Sequence, residues 1–141
     1  MSTELNKKVA SQLIEEIMNQ GNLSLAGDLI APDFIEHEEL PPGMPHGSEG
    51  FALMLTMMRS AFPDFKAKME DMIAEDDKVV IRMTWTGTQQ GEFMGLPPSG
   101  KSFSMDVIDI FRMAEGRIVE HWGLTDNMAM MQQLGAMPAP E

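Results

Sequence analysis

The sequence predicts an α+β domain: helices packed on one face of a curved, mainly antiparallel sheet. Two observations carry this. Apolar residues recur at helical spacing before Pro63 and at alternate positions after it. Turn residues then cut the second half into four runs of strand length. The 141 residues fit one domain, 1–141, able to bury a core without disulfide staples.

Ser2 or Thr3 caps a helix over about 4–20. Leu5, Val9, Leu13 and Ile17 share one face, with Ala10, Ile14 and Met18 beside them, and Gly21 stops the helix. Ser24 caps a short second helix carrying Leu25 and Leu29, ended by Pro32. Residues 34–38 read as a short strand, and the prolines of 41–45 as a loop. Ser48 caps a third helix through Phe51, Leu55, Met58 and Phe62, closed by Pro63. Strands follow at about 66–74, 79–88, 102–113 and 117–124, with turns at 75–77 and 114–116. Asp126 caps a last helix with Met128, Met131 and Leu134, Gly135 ends it, and the tail after it frays.

Composition narrows the function. Ten basic against 22 acidic residues leave a net charge of −12, which repels phosphate backbones and anionic lipid. Nucleic acid and membrane are therefore not expected as partners. The absence of cysteine excludes disulfides, thiolate catalysis and thiolate metal sites, and fits a cytoplasmic protein. The first eight residues do not read as a signal peptide, and no apolar run is long enough to span a membrane.

No metal or cofactor is expected. His37, His46 and His121 are scattered, and there is no Gly-rich phosphate loop or dinucleotide fingerprint. The run Glu36-His37-Glu38-Glu39 reads as a solvated loop, although alternation points either Glu36 or His37 at the sheet's concave side. Arg82, mid-strand, either pairs with a carboxylate on the outer surface or points into a pocket. Sixteen methionines serve core packing or line a soft pocket for an apolar ligand.

The last hairpin carries the site prediction. A turn centred on Glu115 makes Phe111 face Val119, Asp109 face His121 and Val107 face Gly123 on one side of the sheet. Phe103 and Met105 continue that row. A carboxylate beside an imidazole in apolar surroundings fixes the tautomer and raises the basicity of the ring, as general acid–base chemistry requires. A structural ion pair is the other reading of the same two residues. The opposite side carries Ile108, Ile110, Ile118, Trp122 and Leu124, an apolar face that a homodimer would bury. The register depends on the turn and can slip by one residue on either strand.

Further stretches carry a family likeness. They include Ala31-Pro32-Asp33-Phe34, Ala61-Phe62-Pro63-Asp64 and Gly91-Glu92-Phe93-Met94-Gly95-Leu96-Pro97-Pro98. Gly116-Arg117-Ile118-Val119-Glu120-His121-Trp122 and Gln132-Gln133-Leu134-Gly135 complete them. From about 8 to 135 the chain resembles the SnoaL-like polyketide cyclase family. The resemblance implies a cone-shaped α+β barrel, shared with ketosteroid isomerase and scytalone dehydratase, with its pocket between the helices and the concave sheet. It also implies ring closure of an anthracycline-type aglycone by intramolecular aldol condensation, without metal or cofactor; related members act on other substrates, some in hydroxylation.

The resemblance places the family's acid/base aspartate two residues after the last strand's histidine. His121 matches that histidine, and the acid/base position is Gly123. The family's pocket histidine falls on Asp109, its glutamine on Val107 and its first-strand asparagine on Glu36. The expected catalytic pair is therefore Asp109 and His121. The expected substrate-binding residues are Glu36, Phe103, Met105, Val107, Phe111, Val119 and Gly123. The expected function is cyclisation or isomerisation of a hydrophobic, carbonyl-bearing small molecule. A non-catalytic binding or accessory protein using the same pocket is the alternative, and a hydrolase or hydratase the third reading.

Overall fold

The computed structural model describes residues 2–38 and 43–137. Residues 41 and 42 of the expected loop and the end of the expected frayed tail lie outside them. In chain order the elements are α1 (Thr3–Gln12), α2 (Ala26–Leu29), β1 (Ile30–Glu36), α3 (Gly47–Ala61), β2 (Lys66–Glu75), β3 (Lys78–Thr88), β4 (Ser102–Ala114), β5 (Arg117–Thr125) and α4 (Asn127–Gln133). The sheet order is β1-β5-β4-β3-β2, with β1 parallel to β5 and the other pairs antiparallel. The α+β prediction holds.

The helices depart from expectation in detail. Ser2 Oγ accepts from the Leu5 amide at 3.1 Å and caps α1, which widens into a π-helical stretch over Leu13–Asn19. Val9, Ala10, Leu13, Ile14, Ile17 and Met18 are buried as the spacing predicts; Leu5, in the first turn, is exposed. Ser24 caps nothing, because a 3₁₀ turn over Leu23–Leu25 precedes α2. Pro32 does not end that helix but sits inside β1, which an edge strand tolerates. Helix α3 starts at Gly47, not after Ser48. Its φ of +73° suits glycine, and a Cβ there would overlap the Pro32 carbonyl oxygen.

The β4–β5 hairpin corrects the expected register. Glu115 and Gly116 both have positive φ, so the turn has two residues and Ala114 faces Arg117. One step on, Met113 faces Ile118 but Arg112 faces Glu120, so Val119 is an extra residue, a β-bulge. Turn and bulge each shift the pairing by one residue. Together they restore the parity beyond the bulge, so Asp109 and His121 keep a common face, but Asp109 now faces Gly123 and Phe111 faces His121. Near the turn the parity changes. Ile118 is buried on the concave side, not on the outer face, and Val119 is half-buried at the bulge.

The core lies between the helices and the concave face. Val79, Ile81 and Met83 of β3 and Phe103, Met105, Val107, Phe111 and Met113 of β4 are buried there. Each large apolar side chain so buried contributes about 1.5–3 kcal/mol. Arg59 of α3 donates to the Met18 and Asn19 carbonyls, each at 2.8 Å, and ties down the end of the first helix. On the outer face Arg82 pairs with Asp71 at 2.6 Å, the outer-surface alternative of the two weighed for it. An apolar row crosses that face through Ile73, Val80, Ile110 and Trp122, with Ile108 and Leu124 beside it. Among the described residues no helix is long and apolar enough to cross a membrane.

Candidate active site

Between the π-helical stretch after α1, helices α3 and α4, and the concave sheet lies a cavity of about 230 Å³. Its walls are apolar: Phe34, Phe51, Phe65, Trp85 and Phe111 supply aromatic surface. Six of the sixteen methionines line it, namely Met18, Met54, Met58, Met94, Met105 and Met130. That is the adaptable pocket offered above as one reading of the methionine content. Among the described residues the Trp85 indole N–H has no acceptor.

Four ionisable groups gather at one side of this apolar space. Alternation along β5 turns His121 inward, and the parallel pairing of β1 sets Glu36 directly beside it. His121 Nδ1 lies 2.7 Å from Glu36 Oε1, and His121 Nε2 lies 2.8 Å from Asp109 Oδ1. The ring also stacks on Phe111 at 4.9 Å between centroids. Burial alone pushes the imidazolium toward its neutral form. The hydrogen bonds and charges of Asp109 and Glu36 outweigh it and raise the pKa to about 10. At neutral pH His121 is therefore an imidazolium donating from both nitrogens, and it has no lone pair with which to act as a base.

The fourth group is Glu38, which lines the same cavity. Its backbone N–H donates to Glu36 Oε1 at 3.0 Å, so the chain leaving β1 turns back over the site. Burial pushes its carboxyl above the usual range; His121 opposes this, while Asp109 and Glu36 add to it. His37, between these two acids, points the other way. It stacks on Trp122 at 4.8 Å and bonds Glu120 at 2.6 Å, and Glu120 also takes Arg112 at 2.6 Å. The reading of 36–39 as a solvated loop is thus corrected over 36–38: Glu36 belongs to β1, and Glu36 and Glu38 both turn inward, while Glu39 lies outside the described residues. Their two-residue spacing was the signal.

Among the described residues, Glu38, Asp109 and His121 each offer one ligand atom, all within 4.8 Å of one another. Such a group could hold a metal ion only if His121 gave up a ring proton and one of its two hydrogen bonds.

The comparisons with known proteins agree with this fold. The SnoaL-like polyketide cyclase family matches residues 8–134. The chain belongs to that family. Aklanonic acid methyl ester cyclase DauD of Streptomyces sp. (strain C5) is 32% identical over an alignment of 118 residues that covers 77% of this chain and 73% of DauD. The structure of TsrD from Streptomyces laurentii superposes with a TM-score of 0.88 at 28% identity, covering 97% of this chain and 99% of TsrD. IdmH from Streptomyces antibioticus gives a TM-score of 0.79 at 36% identity, covering 92% and 98%.

Within the SnoaL-like frame the expected residues fall as follows. Asp109, His121 and Glu36 meet as described, and Met105 and Phe111 line the cavity. Phe103 is buried against Phe62 at 4.9 Å, and Val107 is fully buried; neither lines the cavity. Val119 lies at the bulge and lines no part of it, and Ile118 takes that place. Gly123 is packed among the polar groups. A Cβ on it would overlap Glu38 Oε1 and stand 2.8 Å from both Asp109 Oδ1 and His121 Cε1. The space that a side chain at 123 would need is filled by Glu38, a residue the sequence reading had not assigned to the site.

Proposed function

We propose that this SnoaL-like protein is a cofactor-independent cyclase or isomerase of a hydrophobic, carbonyl-bearing small molecule. The observation that carries this is a carboxylate, Asp109, held by an imidazolium at the wall of an apolar, methionine-lined cavity. A proton α to a carbonyl is removed by such a carboxylate, and water-poor surroundings strengthen its electrostatic interactions. His121 acts as a fixed positive charge that orients Asp109, and Glu36 fixes His121 from behind. An aldol closure exchanges no electrons with a cofactor: it needs one base and one acid.

The DauD relative is named for aklanonic acid methyl ester, and we take that ester as the first probe. Intramolecular aldol closure makes one C–C bond and turns one carbonyl into a hydroxyl, so the product has the mass of the substrate. Purified protein should convert the ester to such an isomer, resolved by chromatography with mass detection. Saturable binding of the ester with no isomer formed would instead support the binding-protein alternative.

A further inference from the structure

We propose that Glu38 is the second proton-transfer group of this site, the acid that protonates the substrate oxygen while Asp109 takes the proton from carbon. The inference deepens the reading above and rests on it.

The geometry begins at Gly123. Residue 123 faces Asp109 across β4 and β5, yet it presents only hydrogen to the cavity. The Glu38 carboxyl fills that gap, against the backbone of 123 and next to both Asp109 and His121. It arrives from beyond the end of β1, held by its own amide's bond to Glu36. Asp109 and Glu38 thus share one wall of one cavity in different settings. Asp109 accepts from an imidazolium. Among the described residues the Glu38 carboxyl has no hydrogen-bond partner.

Like charges this close cannot both ionise freely, and the protonated form is favoured in the carboxyl that accepts no hydrogen bond from the imidazolium. The groups facing Glu38 are Glu36 on β1, Asp109 on β4 and His121 on β5; Asp33 and His46 line the adjoining cleft. Burial and the two carboxylates favour the protonated form of Glu38, and only His121 opposes it.

The step balances. Asp109 takes the α-proton, and the C–H electron pair becomes the enolate. The enolate carbon attacks the second carbonyl, one C–C bond forms, and the carbonyl π pair moves to oxygen. That oxygen takes the proton of Glu38. Return of a proton from Asp109 to Glu38, directly or through water, resets the site. Neither an oxidant nor a reductant is required.

The test uses Glu38→Gln, which keeps shape and removes the acid, with Glu38→Asp as the conservative partner. With the same ester as probe, kcat should fall roughly 10²–10⁴-fold in Glu38→Gln, with KM changed less than about threefold, and Glu38→Asp should recover part of the loss. The limb of the wild-type kcat/KM profile that falls as Glu38 loses its proton should vanish in Glu38→Gln. An unchanged kcat in Glu38→Gln would overturn the role of Glu38 and leave the proposed function standing. If the wild type forms no isomer, the proposed function fails; carboxyl-carbon NMR separately decides whether Glu38 holds the proton that its role requires. A Glu38 carboxyl titrating in the ordinary glutamate range, without coupling to His121, would overturn it; titration above that range, lost in Glu38→Gln, supports it.

Discussion

His121 is held between two carboxylates, with Asp109 on Nε2 at 2.8 Å and Glu36 on Nδ1 at 2.7 Å. The two acids come from the opposite flanks of β5, one from the antiparallel neighbour β4 and one from the parallel neighbour β1. The imidazole is thereby fixed in orientation and in charge, and Asp109 presents a carboxylate of fixed direction to the cavity.

This arrangement makes stability depend on pH. The pKa of His121 in the folded protein, about 10, lies above the ordinary 6.5, so the unfolded chain loses its proton first. The contribution is complete below pH 6.5 and is lost as pH rises toward 10. The melting temperature should fall over that window in the wild type and much less in His121→Gln. Imidazole NMR should show His121 titrating near the upper end of the window; a midpoint near 6.5 would contradict the clamp.

Gly123 is predicted to tolerate no side chain. The methyl group of Gly123→Ala must displace Glu38 and press on Asp109 and His121. We expect a loss of about 1–3 kcal/mol, as for other overpacked sites, and a lower His121 pKa. Gly27→Ala is the control, since a Cβ at Gly27 meets nothing within 4 Å. Equal stability of the two variants in urea would refute the crowding at 123.

The outer apolar row is expected to be buried in a homodimer. Leu124 is 74% exposed and Ile108 44%, side by side on paired strands. A second copy would cover this row with its own. Trp122, one of the residues expected on that face, is partly covered by His37 of the same chain, so Leu124→Glu is the sharper probe. Light scattering should give about twice 15.7 kDa for the wild type and a monomer mass for Leu124→Glu. A monomeric wild type at micromolar concentration would contradict the interface.

The sheet was legible because alternation and turn residues are local signals. Strands β2 to β5 fall within a residue or two of the runs read from the sequence. The bulge at Val119 was not legible: nothing in Ile118-Val119-Glu120 marks an extra residue, and its effect shows only in pairing with β4. The union of Asp109 with His121 survived that error because turn and bulge shift the register by one each. Glu38 was missed for a different reason. Its place depends on the parallel pairing of β1 with β5, a contact between segments more than eighty residues apart. Pro32 also read as a helix stop, which hid the start of the strand that delivers both Glu36 and Glu38.

The account stands most directly on Asp109. Its carboxylate lines the cavity, is 4% exposed and is bonded to His121, and Asp109→Asn removes the base while keeping the shape. The measurement is single-turnover conversion of aklanonic acid methyl ester by wild type and Asp109→Asn at equal bound ester. We predict a loss of roughly 10²–10⁴-fold in the rate of isomer formation, the usual weight of a positioned base. An Asp109→Asn variant that binds the ester and converts it at the wild-type rate would contradict the account.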